Sequence, residues 1–564
     1  MSSADFKKVL VKDDRLNVSD SLSFAVKKGG QNVTVAKYKA LSATTTSHVF
    51  NIVVPNEATI IDRRALWNAT CTLKIQGIPA VGKYLVNYGY TDALAPFPLQ
   101  STATVMSSTI NNTTVSVNID DVMPALLRMH DARQLAALNS MTPTMFDSYK
   151  YYSDAVGAIN NPLGSFFNAQ DNDLLPRGAF GDVVVGSTYV GGVVDGAQVV
   201  GDGTTLQTTY VQFTTSEPLL GLSPFIWSND GATAGIYGVT NMSFQFNLGN
   251  ANRVWRTASN IPSYSVQLQE FNNSQLIFNY LTPHASDLMP ARNIVPYLNL
   301  PRFISPAVSI GAGVKGVTIS SQSLQLQEIP DKLICFVRKA KRNITNQDSD
   351  NFLPIKKVSI QWNNNSGILS TATPYNLYEM SKKAGCNENW LEFSGSANVV
   401  DNTTGVGSVL PTAGSMLVLD YAESIQLVED WFSPGSLGAF NLQIDVTVDS
   451  NATTNEDYEL VLVTVQSGIF VCERGQSSVY TALLSRQDVL EASEQKPYFK
   501  QDVKRMIGGG FLDGLRTMVG KLAPLAKGVL SGIDHPAARI GKEALSLAGY
   551  GVSGGAGKMS KRIA

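Results

Sequence analysis

The chain has 564 residues, 44% hydrophobic and only 16% charged. That is length for two to four domains of roughly 100–200 residues with real cores, at a charge density well below the ~25% usual in soluble domains. The formal net charge of −2 excludes a broad basic footprint for nucleic acid, and no apolar run approaches the ~18–20 residues that cross a bilayer.

The charge is unevenly placed. From Gln501 to Ala564 there are ten Lys and Arg against four Asp and Glu, while the preceding residues carry 34 against 42. The body is mildly acidic and the last segment is basic. The opening stretch "MSSADFKKVLVKDDRLNVSD" lacks the apolar core of a signal peptide. Cys71, Cys335, Cys386 and Cys472 are widely separated and form no C-x-x-C pair. Together these features predict an intracellular product with reduced thiols. The N-x-S/T matches, such as Asn112-Thr113-Thr114, then follow from composition and are not glycosylation sites.

Along the chain, period-two alternation with β-branched and aromatic residues recurs from about residue 33 to 485. Early examples are "HVFNIVVP", "CTLKIQG" and "MSFQFNLG"; later ones are "SLQLQEIP", "LICFVRK", "FNLQIDVTV" and "YELVLVTVQSGIFVCE". Helical signals are few. In "NIDDVMPALLRMHDARQLAAL" a helix is expected with Asp120 or Asp121 as its cap, since a carboxylate there accepts the free N–H groups of the first turn. In "ATPYNLYEMSKKAG", Thr373 is the expected N-cap, Pro374 the first helical residue and Gly385 the stop.

The two helices follow matching segments. "SSTINNTTVSVNIDDVMPALLRM" (Ser107 to Met129) and "VSIQWNNNSGILSTATPYNLYEM" (Val358 to Met380) both read strand, Asn-Asn, small hydroxyl residues, helix, Met. A Gly/Asn-rich stretch follows each. This spacing predicts two similar β-domains in tandem, with the seam near "NANRVWRTASNIPSY" after the strand Met242 to Leu248.

These residues resemble the double jelly-roll major capsid proteins of polinton-like viruses, virophages and related DNA viruses. The resemblance lies in "PFPLQSTATVMSSTINNTTVSVNIDDVMPALLRM", "LLGLSPFIWSNDGATAGIYGVTNMSFQFNLGNANRVW" and "LQEIPDKLICFVRKAKRNITNQDSDNFLPIKKVSIQWNNNSGILSTATPYNLYEMS". It spans roughly residues 35–490, with its blocks in the family's order. It implies an all-β chain of two tandem eight-stranded jelly-roll barrels with short flanking helices and a partly helical or disordered C-terminal tail. The divisions expected are an N-terminal arm (1–34), a first jelly roll (35–255), a second (256–490), and a linker with a basic amphipathic tail (491–564). The family further implies a homotrimer whose six barrels form a pseudo-hexagonal capsomer. Its partners would be neighbouring capsomers, a minor (penton) capsid protein and a viral maturation protease. The Gly/Asn-rich insertions would form towers on the outer face, because lengthening an exposed loop costs little closure entropy.

No residue set nominates catalysis, a cofactor or a metal. His48, His130, His284 and His535 are scattered, without metal-ligand spacing. "GAGVKG" (Gly311 to Gly316) matches G-x-G-x-x-G, but a strand-like segment follows where a phosphate-binding helix should begin, so it reads as a loop. Two other readings fit the strands: a secreted β-sandwich adhesin or glycan binder, which the N-terminus argues against, and a glycoside hydrolase, for which no carboxylate pair stands out.

In the tail, Phe511, Leu515, Met518, Leu522, Leu525 and Val529 recur at helical spacing with Arg516, Lys521 and Lys527 between them. Pro524, together with interior glycines that each cost about 1 kcal/mol against Ala, weighs against a free helix. The segment is expected to fold against DNA, a membrane or a minor capsid protein. At its start, "MIGGG" (Met506, Ile507, Gly508, Gly509, Gly510) resembles the site cut by adenovirus-type cysteine proteases. The expected scissile bond is Gly509–Gly510.

Overall fold

A computed structural model of the chain describes Asp13 and residues 29–493, apart from 89–90, 140, 152–181, 226–234, 250, 288, 401–404 and 406. The tail, including Met506, Gly508, Gly509 and Gly510, lies outside the described residues, as do most of the N-terminal arm and the middle of the first Gly/Asn-rich insertion.

Eight strands build the first barrel. They are β1 (Asn32–Lys39), β2 (Ser47–Val53), β3 (Leu66–Gly77), β4 (Ala103–Ile110), β5 (Thr113–Val117), β6 (Gln207–Pro218), β7 (Asn241–Leu248) and β8 (Ser265–Thr282). They pair antiparallel in two sheets, ordered β1-β8-β3-β6 and β2-β7-β4-β5. The first strand pairs with the last, the second with the seventh, the third with the sixth and the fourth with the fifth. A nested antiparallel ribbon rolled up in this way is a jelly roll.

The second barrel repeats the order. Its strands are β9 (Asn293–Asn299, continued by Arg302–Ile304 and Val308–Ile310), β10 (Val317–Ser320 and Leu324–Glu328), β11 (Lys332–Lys339), β12 (Ile355–Trp362), β13 (Asn365–Ile368), β14 (Leu417–Asp420), β15 (Leu437–Val448) and β16 (Glu456–Glu473). The sheets run β9-β16-β11-β14 and β10-β15-β12-β13. "GAGVKG" is the loop between the last piece of β9 and β10, and a strand follows it.

Alternation makes the cores. Trp67, Ala69, Cys71, Leu73 and Ile75 of β3 face Met242, Phe244 and Phe246 of β7 across the first barrel, with the Trp67 and Phe246 rings 5.0 Å apart. In the second barrel Phe440, Leu442, Ile444 and Val446 of β15 fill the same role, and Trp362 stacks on Phe440 at 5.4 Å. All four cysteines are buried and free.

The repeated Asn-Asn turn is one device used twice. Asn111 and Asn363 both adopt left-handed backbone, at φ 51° and 50°, which Asn tolerates better than most side chains. In each turn the Asn side-chain oxygen accepts from a backbone N–H of the neighbouring strand region: Thr240 at 2.9 Å in the first barrel and Asn441 at 2.8 Å in the second.

Two expectations change. The seam does not fall after β7. Strand β8 lies beyond that point and pairs with both β1 and β3, so the chain passes to the second barrel between Thr282 and Asn293. Without β8 the first barrel would keep two open strand edges. The second change concerns helix α1 (Ile119–Arg128). Asn118 occupies the cap position without a side-chain cap bond, and Asp120 and Asp121 lie inside the first turn. Strand β5 ends at Val117, which leaves one residue for the cap, and the Asn118 side chain is engaged by Arg302 at 3.2 Å. A short helix α2 (Ala132–Leu138) follows. Helix α3 (Pro374–Lys383) forms as the sequence indicates, with Thr373 and Asn376 closing a capping box and Gly385 at φ 102°; helix α4 (Trp390–Ser394) comes next.

The turn between β10 and β11 carries a buried acid pair. Burial pushes Glu328 up to about 7 and Asp331 up to about 6, and each has a carboxylate oxygen without a hydrogen-bond partner. A raised folded-state value means that the folded protein holds protons the unfolded chain has released. Stability is therefore expected to fall as pH rises from about 4.5 towards 7. Melting temperatures measured across that range should show the decline, and Glu328→Gln should flatten it.

Candidate functional site: the charged seam between the barrels

Strand β11 is buried on both faces. Leu333, Cys335 and Val337 point into the second barrel's own core, while Ile334 and Phe336 point out and join the cluster of the first barrel. Strand β16 does the same, with Leu460 and Leu462 inward and Val461, Val463 and Val465 outward. This is why both segments read as nearly continuous apolar runs. The outward residues share a cluster with Val115 and Val117 of β5 and Ile119, Val122 and Met123 of α1. The end of the first barrel that carries α1 thus sits on the outer face of the second barrel's β9-β16-β11-β14 sheet.

Charges are buried beside this apolar contact. Asp121 of α1, 1% exposed, bonds Arg338 of β11 at 2.6 Å and Lys341 at 2.5 Å, and also meets Arg302. Asp120 meets Lys341 at 2.6 Å and Arg253 at 3.2 Å. Asp350, from the second barrel, takes Arg253 at 3.0 Å and Arg256 at 3.2 Å. Burial alone would raise the Asp121 carboxyl; Arg338 and Lys341 outweigh it and hold the group below the usual range. Arg338, 5% exposed, is raised in turn, because Asp121 and Glu459 outweigh its burial.

Arg128, at the end of α1, is fully buried. Its guanidinium bonds Glu388 at 2.8 Å and donates to the carbonyls of Pro124 (3.1 Å), Asp147 (3.4 Å) and Asp350 (2.6 Å). The Phe146 and Phe352 rings lie 5.1 and 4.5 Å from it. Few residues besides arginine can satisfy so many acceptors in one plane. The post-helix insertions meet nearby: Lys150 N–H donates to the Pro411 carbonyl at 3.1 Å and Ala413 N–H to that of Ser148 at 2.9 Å.

The chemistry of this seam is mechanical. It fixes two barrels in one orientation, because neither half can leave without stranding a buried charge. Among the described residues, no group of His, Cys, Asp or Glu is arranged to hold a metal ion. Asp120 and Asp121, one of which the sequence leads one to expect as a helix cap, are ion-pair partners instead, and no local pattern marks Arg253, Arg302, Arg338 or Lys341 as their counterparts. One signal was present, a lone arginine in the apolar run "LICFVRK".

Comparison with known families decides what such a pair of barrels is. Residues 4–281 match the family described as Sputnik virophage major capsid protein 1st domain, and residues 300–468 match the major capsid protein V20 C-terminal domain. The chain belongs to the virophage major capsid proteins. It is 28% identical to capsid protein V20 of Sputnik virophage, over 97% of this chain and 93% of that protein. The cryo-EM structure of the Sputnik virophage superposes with a TM-score of 0.76 at 27% identity, covering 90% of this chain and 100% of that one. The mavirus major capsid protein shares the fold, with a TM-score of 0.73 at 14% identity over 88% of this chain and 100% of that one.

As a major capsid protein the chain is a structural component of the virion, not an enzyme, and it builds the shell together with neighbouring capsomers. The adhesin and hydrolase readings of its strands fall away. The division between the two matched families, after residue 281, coincides with the end of β8.

Proposed function

We propose that three copies of this major capsid protein close around a threefold axis into a pseudo-hexagonal capsomer of six barrels, which tiles an icosahedral shell. The observation that carries this reading is the internal one: two barrels of identical strand order are locked side by side by a buried seam. Three such rigid pairs complete a ring by heterologous contacts, each copy offering two different surfaces. Size-exclusion chromatography with light scattering should find three chain masses; a stable monomer at shell-forming concentrations would overturn it.

The same reading assigns the remaining partners. A minor capsid protein fills the fivefold positions, where a six-barrel capsomer does not fit. The Gly/Asn-rich insertions rise as towers on the outer face. The basic tail after Gly510 assists assembly by contacting DNA, a membrane or a minor capsid protein, and a viral maturation protease then hydrolyses Gly509–Gly510. Paired glycines suit a narrow cleft that a side chain would block. Intact mass measurement on virion protein should find chains ending at Gly509, and Gly509→Val should abolish them. Virions containing only chains that end at Ala564 would refute cleavage.

A further inference from the structure

Lys150, from the first barrel's insertion, and Asn451, from the second barrel, meet out of solvent. Lys150 lies in the segment that follows α2, and residues of the second barrel hold its backbone on both sides. Its N–H donates to the Pro411 carbonyl at 3.1 Å, and its own carbonyl accepts from Ser349 Oγ at 3.0 Å. The flanking Tyr149 and Tyr151 pair as isolated bridges with Thr412 and Asp348. Fixed in this way, Lys150 is 2% exposed. Its Nζ donates to Asn451 Oδ1 at 2.7 Å, in the turn between β15 and β16, and to Tyr458 Oη at 3.4 Å, near the start of β16.

A buried lysine ordinarily pairs with a carboxylate. Here Glu456 and Asp348 are both bonded by Lys339, each at 3.1 Å. Lys150 faces a carboxamide, a phenol and the Tyr151 ring, which lies 5.1 Å from its Nζ. Burial pushes its ammonium down to about 8, which brings the neutral amine within reach near neutral pH.

The parts of an amide-forming site therefore stand together. Lys150 Nζ is the nucleophile. The Asn451 carboxamide is the electrophile, and its Nδ2 is buried with no hydrogen-bond partner among the described residues, so nothing there ties down the group that has to leave. Tyr458, 1% exposed, donates from Oη to Glu456 Oε2 at 2.7 Å and so connects Nζ to a carboxylate. Burial alone would raise the Glu456 carboxyl; hydrogen bonds from Tyr458 and Lys339 outweigh it and hold the group below its usual range. Glu456 is thus ionised and ready to accept a proton.

We propose that Lys150 and Asn451 form an intramolecular isopeptide bond that joins the two halves of the chain covalently. The ammonium gives one proton through Tyr458 to Glu456, which releases it to solvent. The neutral amine attacks Asn451 Cγ, and as the Nζ–Cγ bond forms a second proton moves from Nζ to Nδ2. The Cγ–Nδ2 bond then breaks, and ammonia departs with its own two hydrogens and the one received. Oδ1 remains as the carbonyl oxygen of the new amide. No oxidant, metal or cofactor is consumed. The bond closes a loop from residue 150 to residue 451, so the unfolded chain loses conformational freedom as it does with a disulfide. The four cysteines, all buried and free, provide no such link.

Mass spectrometry of the full-length wild-type protein, purified folded and then denatured, reads the bond directly. The chain should be lighter than its sequence by one ammonia, and proteolysis should yield a branched peptide that contains both Lys150 and Asn451 and survives reduction. Lys150→Arg and Asn451→Ala should each restore the full mass and melt at a lower temperature than the linked chain. Tyr458→Phe keeps the ring and removes the relay, so ammonia loss after folding should slow roughly a hundredfold, the usual worth of a positioned proton transfer. If Tyr458→Phe does not fold, Glu456→Gln tests the same relay. An unchanged rate in the folded relay variant would overturn the part given to Tyr458 and Glu456. Folded wild type of full mass would overturn the bond itself. So would a chain short of one ammonia whose Lys150 and Asn451 peptides stay separate, since that is an asparagine cyclised on its own backbone.

Discussion

Replacing Asp121 with asparagine is expected to destabilise the folded chain by about 3–5 kcal/mol, the usual cost of removing one partner from a buried ion pair. The substitution keeps the shape of the side chain and removes only its charge. Arg338 and Lys341 lose the carboxylate charge that lies 2.6 and 2.5 Å from them, and Arg338, almost wholly buried, is left with the Glu459 carboxylate. Asp120→Asn should cost less, because Lys341 is 35% exposed and Arg253 retains Asp350. Equilibrium denaturation at neutral pH measures both. The pH dependence has a definite sign. Asp121 titrates below the ordinary carboxylate value when folded, so its contribution is present above about pH 4 and is lost as pH falls through the folded value. The difference between wild type and Asp121→Asn should therefore shrink in acid.

Arg128→Met should cost a similar ~3–5 kcal/mol, for a related reason. It leaves Glu388, 1% exposed, without its cation and takes a side-chain donor away from three backbone carbonyls. Arg128→Lys should recover little of the loss, since an ammonium cannot present Nε to a carboxylate and two further nitrogens to carbonyls in one plane. Burial already pushes Glu388 up to about 7 in the presence of Arg128. Neutralising it should therefore rescue: Arg128→Met with Glu388→Gln is expected to be more stable than Arg128→Met alone. A double-mutant cycle in denaturant gives the coupling, and additive losses would show that the pair is not acting as a pair.

Much of this architecture is visible before any coordinates. The strand alternation, the Asn111 and Asn363 turns, and the Thr373-Pro374 helix start are local signals, set by side chains within a few residues of one another. What escapes is non-local. Strand β8 looks like the start of a new domain because the turn-rich segment before it resembles a linker; only the open edges of β1 and β3 claim it. Asp120 and Asp121 look like caps because their partners Arg338 and Lys341 come from the second barrel, far along the chain.

Cryo-EM reconstruction of assembled particles is the most direct test of the central claim. Capsomers of hexagonal outline should each contain three copies of this chain, alternating first and second barrels around the ring, with the seam around Asp121 buried between the two barrels of every copy. Capsomers built from six copies, or barrels of one chain separated between different capsomers, would contradict it.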